Sequence, residues 1–179
     1  MQQNKTNIVL IGMPGSGKST VGVILAKMLG KSYLDTDILI QNLEKRTLQE
    51  IVNQDGHMLL RAREEQVLLG IICSDHVIAT GGSATYSESA MNHLRQQGVI
   101  IFLHADLSTL QSRVGNYETR GIATRPDQSF EDLFKERLAL YEKYADTTVL
   151  SSNLSQDEAC KVIIEWLNMH HPQLDAFSN

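Results

Sequence analysis

Eight residues near the start, Gly12-Met13-Pro14-Gly15-Ser16-Gly17-Lys18-Ser19, limit the folds open to this chain more than any other stretch. With Thr20 following, they fit the phosphate-loop pattern G-x-x-x-x-G-K-[ST] without a mismatch. The flanks suit it. Ile8-Val9-Leu10-Ile11 reads as a buried strand, and Val21, Ile24, Leu25 and Met28 recur at helical spacing, with Gly30 placed to end that helix. Glycines admit left-handed backbone angles, so successive N–H groups can converge on one concavity, and the helix N-terminus adds its positive dipole end. Gly15, Ser16, Gly17, Lys18, Ser19 and Thr20 are therefore the candidate contacts to a nucleoside triphosphate. Lys18 would reach the β- and γ-phosphates and the Ser19 hydroxyl would ligate Mg²⁺. The bland alternative is a glycine-rich turn, which the strand before and the helix after argue against.

Length and charge then exclude other classes. At 179 residues the chain suits a single domain, expected over 1–169 with a frayed tail over 170–179. A net charge of −5 with no lysine/arginine stripe argues against nucleic acid as a partner. No apolar run suits a signal segment or a membrane span. Cys73 and Cys160 are far apart and lack ligand neighbours, so neither a disulfide nor a zinc site is expected, and the reducing cytoplasm is the expected location. The six histidines show no metal spacing.

Strand and helix signals alternate along the rest. Ser32-Tyr33-Leu34 leads into a strand ending at Asp35-Thr36-Asp37, and Val77-Ile78-Ala79 into one stopping at Gly81-Gly82. Val99 to Leu103 and Thr148-Val149-Leu150 supply two more. Thr47 with Glu50 forms a capping box, and a further helix is expected through Leu59, Leu60, Val67, Leu68 and Ile72. Ser87, Ser129 with Asp132, and Ser155 with Glu158 mark other helix starts. The expected fold is α/β, a three-layer sandwich around a five-stranded parallel sheet.

Ligands of such sheets gather at the carboxyl ends of the strands, where the phosphate loop, Asp35-Thr36-Asp37 and Gly81-Gly82-Ser83 all fall. A phosphoryl-transfer site needs an acidic group near Mg²⁺ and a carboxylate to orient and deprotonate an acceptor hydroxyl. Asp35 and Asp37 could divide those tasks, or could only cap the following helix. Asp106 could instead supply the acid, but it reads better as a helix start.

On these residues the chain resembles the shikimate kinase family, over roughly Asn7 to Leu167. Asp35-Thr36-Asp37 matches its D-T-D. Arg61 and Glu64 match its arginine and glutamate, and Gly81-Gly82 its glycine turn. Arg125-Pro126 matches its lid signature, and Arg137, Tyr141 and Ala145-Asp146 match its late helix. The resemblance implies an ATP- and Mg²⁺-dependent transfer of the γ-phosphoryl group to the 3-hydroxyl of shikimate, a step toward aromatic amino acids, by a cytoplasmic monomer. It further implies that Asp37 polarises the acceptor hydroxyl and that Asp35 sits near Mg²⁺ through water. Arg61 and Arg137 clamp the substrate carboxylate, Gly82 offers it an N–H, Arg113 lies against adenine, and Arg125, on a lid near 115–128, closes on the phosphates. Each clamp arginine has a plainer alternative: Arg61 paired with Glu64 or Glu65, and Arg137 paired with Asp132 or the neighbours of Glu136 on a solvated face.

Three features depart from the family. Ser83 stands where a third glycine is usual, and Ala139 where a proline is. The lid is long, so that Arg120 competes with Arg125. A same-fold kinase acting on gluconate or a nucleoside monophosphate, and a non-catalytic ATP-binding regulatory protein, are the alternative readings. The early D-T-D weighs against nucleotide kinases, and intact Lys18, Ser19, Asp35 and Asp37 weigh against loss of activity.

Overall fold

The architecture is that of a computed structural model, which describes residues 5–115, 121–125 and 127–174. Five strands, β1 (Asn7–Ile11), β2 (Ser32–Asp35), β3 (His76–Ala79), β4 (Gly98–His104) and β5 (Thr147–Leu150), form one parallel sheet in the order β2-β3-β1-β4-β5. Val9 stands opposite Ile78 on one side and Ile100 on the other. All of β1 is fully buried, because both faces of the sheet are covered.

Alternation along the strands sends side chains into two cores. Ile8, Leu10, Val77, Val99 and Ile101 pack under α1 (Lys18–Met28) and α7 (Gln156–His170). Val9, Ile11, Ile78, Ile100 and Phe102 pack under α4 (Glu88–Gln97), α5 (Leu107–Val114) and α6 (Phe130–Tyr144). Each of these large aliphatic side chains contributes about 1.5–3 kcal/mol through burial. A third, smaller cluster joins Ile40 of α2 (Thr36–Glu44) and Ile51 and Leu60 of α3 (Leu48–Leu69) to Ala123. It supports one end of the cavity described below.

Local signals set most boundaries. Thr47 and Ser155 close capping boxes with Glu50 and Glu158, and Ser87, Ser129 and Asp106 cap α4, α6 and α5. The two helices expected after Thr47 are both present within α3 and meet at a kink at Gly56, whose φ of 83° and ψ of 168° are non-helical. Ile72, expected inside it, lies beyond its end at Leu69 and is exposed. The tail also differs from expectation. Instead of fraying from residue 170, the chain makes a short 3₁₀ turn over Pro172–Leu174, and Leu174 is fully buried against the α1–α7 core. Residues 175–179 lie outside the described residues. Among the described residues no helix is long and apolar enough to cross a membrane.

Candidate active site

The carboxyl ends of β1 and β3 open onto a cavity of about 350 Å³. Its floor is the phosphate loop. Gly12, Gly15 and Gly17 hold φ of 147°, 85° and 97°, angles that side chains resist, and so curl the backbone around the space where a phosphate chain would lie. Lys18 is almost fully buried and its Nζ donates to the carbonyls of Gly12 and Met13 at 2.8 and 2.9 Å. Burial lowers this ammonium to about 8, opposed chiefly by the charge of Asp37. Ser16 Oγ is buried with no hydrogen-bond partner, as suits a donor built for an anion. Gly15, Gly17, Ser19, Thr20 and Arg113 line the same cavity.

The two aspartates separate in role. Asp35 caps α2 by accepting from the Asp37 N–H at 3.0 Å, and its other oxygen accepts from the Tyr33 hydroxyl at 2.9 Å. It does not line the cavity, so it acts there through its field. Asp37, in the first turn of α2, does line the cavity. Burial raises its carboxyl to about 6, with the charge of Asp35 adding and Lys18 opposing. Such a group is ionised near neutrality and still able to take a proton.

Gly81 and Gly82 are needed for close approach, since neither has a positive φ. A Cβ on Gly81 would lie 2.7 Å from Asp37 Oδ1 and closer still to Glu64 Oε1. On Gly82 it would lie 2.7 Å from Pro14 Cδ and 2.8 Å from Arg137 Nη1. The turn thus draws both carboxylates, the Arg137 guanidinium and the phosphate loop onto one backbone corner. The Gly82 carbonyl also accepts from the Tyr141 hydroxyl at 2.5 Å.

Arg137 of α6 is 1% exposed and lines the cavity, so the solvated-face alternative does not hold. Its Nη2 donates to the Ala123 carbonyl at 2.7 Å, while its Nε has no partner. Arg61 pairs with neither Glu64 nor Glu65. Glu64 accepts from Ser83 Oγ, and Glu65 from Ser87 and Ser89. Arg61 stands outside the cavity lining and stacks on Tyr86, its guanidinium carbon 3.6 Å from the ring centroid. Arg137 approaches the same ring at 5.5 Å, so Tyr86 brings the two arginines together.

The lid differs most from expectation. Arg125 is not on the cavity. It is exposed and pairs with Glu136 at 3.0 Å, an acceptor it shares with Tyr86 and Gln128. Pro126 and Arg120 lie outside the described residues. The described part of the lid is docked: Gly121 donates to Gln49 Oε1 at 2.5 Å, and Ile122 and Ala123 are buried against the cavity.

Sequence reasoning gave no role to Tyr33, Tyr86, Glu136 or the Ser83–Glu64 contact. Tyr33 had a signal, since residues two apart on a strand share a face with Asp35. The others meet only through tertiary packing. Ser83 has an ordinary φ of −104°, so the third glycine of the turn is not required by the backbone here.

Comparisons with known proteins point to one family. A family profile described as "Shikimate kinase" matches residues 14–168. A shikimate kinase of Rhizobium meliloti is 32% identical over 163 residues, covering 89% of this chain and 84% of the relative. One of Rippkaea orientalis is 36% identical over 162 residues, covering 89% and 86%. The structure of a shikimate kinase from Acinetobacter baumannii in complex with shikimate superposes with a TM-score of 0.81 at 30% identity, covering 94% of this chain and 97% of that one.

Proposed function

The chain belongs to the shikimate kinase family, and from that premise we propose that it transfers the γ-phosphoryl group of ATP to a hydroxyl of shikimate. The observation that carries this reading is the single cavity in which the phosphate loop faces Asp37 and the buried guanidinium of Arg137. An acceptor bearing both a hydroxyl and a carboxylate answers the two acceptor-side groups at once. A neutral polyol leaves the guanidinium without its anion.

In this reading the backbone amides of Gly15 to Thr20, the orphan Ser16 hydroxyl and Lys18 hold the triphosphate, with Arg113 at the nucleotide end. Among the described residues no cluster of three or more His, Cys, Asp or Glu could hold a metal ion. Mg²⁺ would be met by the Ser19 hydroxyl, with Asp35 behind it through water. When bound, the metal neutralises charge on the β–γ bridge.

Asp37 accepts the proton of the acceptor hydroxyl as its oxygen bonds to the γ-phosphorus. The bond to the β–γ bridging oxygen breaks and ADP leaves. Lys18 stabilises the charge that gathers on the bridge. Arg137, with Arg61 turning from Tyr86, clamps the carboxylate bidentately, and the Gly82 N–H adds a donor. Arg125 serves as the lid arginine once it leaves Glu136.

A coupled ADP-release assay with ATP and Mg²⁺ against shikimate, gluconate and nucleoside monophosphates tests the proposal. Shikimate should be preferred, with little ADP released in its absence. A preference for gluconate or a nucleotide overturns the acceptor, and no transfer to any of them overturns the kinase reading. The chain would act without nucleic acid or membrane, as a cytoplasmic monomer.

A further inference from the structure

Tyr33 takes no part in the transfer itself, yet it bridges two groups that do. On β2 it shares a face with Asp35, two residues on. Its ring packs on α1 at Gly22, where a Cβ would lie 2.7 Å from Tyr33 Cε2, so only glycine leaves room for it. Ser19 stands three residues before Gly22 and therefore on the same face of α1. A ring seated on Gly22 brings its hydroxyl to Ser19.

That hydroxyl has a partner on each side. It donates to Asp35 Oδ2 at 2.9 Å, and the Ser19 side chain hydrogen-bonds the same phenol oxygen. A phenol has one proton to give. With that proton given to Asp35, the Tyr33 oxygen can only accept from Ser19. The other Asp35 oxygen already accepts from the Asp37 N–H at 3.0 Å. The bonds thus run one way, from Ser19 through Tyr33 to Asp35. A hydroxyl that ligates a cation must present a lone pair and point its proton elsewhere. Ser19 lines the cavity, and Tyr33 gives its proton that direction.

We propose that Tyr33 is a positioning residue for the Mg²⁺ that accompanies ATP: its hydroxyl accepts the Ser19 hydrogen bond and steadies Asp35, so that Ser19 keeps a lone pair for the metal and Asp35 keeps its place behind it. The proposal rests on the reading of Ser19 and Asp35 as the groups that meet Mg²⁺. Phenylalanine at position 33 would keep the ring and its seat on Gly22 while the Ser19 hydroxyl lost its acceptor. The metal would still bind, but less tightly, because other Ser19 rotamers compete.

Calorimetric titration of the full chain with the β,γ-imido analogue of ATP, once in Mg²⁺ and once in EDTA, tests this with Tyr33→Phe, Ser19→Ala and the double variant. The readout is the factor by which Mg²⁺ tightens binding. Tyr33→Phe should cut that factor about 10-fold, as removal of outer-shell partners of metal ligands does, and leave affinity in EDTA unchanged. Ser19→Ala should lose at least as much, and Tyr33→Phe added to it should change little further. Should Tyr33→Phe prove insoluble, Gly22→Ala, whose methyl displaces the ring edge, carries the same comparison.

Two results overturn the inference alone while Ser19→Ala loses the Mg²⁺ gain: a Tyr33→Phe factor equal to wild type, whether or not affinity falls in both media, or a Tyr33→Phe effect of full size in the Ser19→Ala background. If Mg²⁺ does not tighten wild-type binding, or Ser19→Ala keeps the wild-type factor, the reading of Ser19 as the hydroxyl that meets the metal falls, and this inference with it.

Discussion

On the phosphate-loop side, the cavity is lined by residues of one run, Pro14 to Thr20, in which Lys18 is the one charged group, and by Arg113 of α5. On the acceptor side, Asp37, Glu64, Gly82 and Arg137 come from α2, α3, the turn after β3 and α6. The first side is fixed by local backbone angles at three glycines. The second is fixed by tertiary contacts alone, and it concentrates buried charge: Glu64 and Asp37 both hold their protons more tightly than ordinary carboxyls, mainly through burial. Damage on the first side should therefore strike the chemistry itself. Damage on the second should separate acceptor binding, proton transfer and stability from one another.

The largest effect is expected at Lys18. Lys18→Ala removes the cation from the developing charge on the β–γ bridge and should lower kcat about 10³-fold. Turnover within a few-fold of wild type would break the assignment of that side. Across the cavity, Asp37→Asn keeps the shape but loses the base, and kcat should fall about 10²-fold with little change in ATP affinity. Collapse of ATP affinity with kcat preserved would instead make Asp37 a metal group and exchange it with Asp35.

Arg137→Lys sharpens the comparison further. It keeps the charge but not the fork, so KM for shikimate should rise about 10-fold while KM for ATP stays nearly constant. An analogue lacking the carboxylate should be indifferent to the change, and equal losses on both acceptors would contradict the clamp.

Glu64 gives the smallest effect and the clearest sign. Burial, with the charge of Asp37 adding, raises its carboxyl from 4.5 to about 7, against the hydrogen bond from Ser83 and the charges of Arg137 and Lys18. A group whose pKa is raised by folding contributes stability that is complete below its unfolded value and lost as the pH rises through the folded one. Between pH 4.5 and about 7 the wild-type protein therefore loses stability that Glu64→Gln does not. The Tm of Glu64→Gln relative to wild type should be higher at slightly alkaline than at acid pH, by roughly 3–8 °C. A difference independent of pH would show that the carboxylate is not ionised at a cost.

The contrast between the two sides also explains what could be read from sequence. The phosphate loop, the caps at Thr47, Ser87, Ser129 and Ser155 and the alternating strands were legible because each depends on residues close in the chain. Asp37 and Arg137 were legible by resemblance, and the cavity brings both together. Ser83 was legible only as a departure from the family, because its partner Glu64 is nineteen positions away on another element. Arg125 was read as a phosphate ligand, yet Glu136 holds it, and nothing local marks a pair eleven residues apart across a loop. The docking of Gly121 on Gln49 was equally hidden, since its donor and acceptor meet only in the folded chain.

The central claim is that one cavity joins an ATP phosphate chain to a carboxylated hydroxy acid. It is tested most directly by mass analysis of the products when the purified chain is given ATP, Mg²⁺ and shikimate, with ATP consumption followed in parallel. The account predicts shikimate carrying one added phosphoryl group, formed one-for-one with ADP, and almost no ADP when shikimate is left out. ADP released without a phosphorylated acid, or at the same rate with and without shikimate, would contradict it.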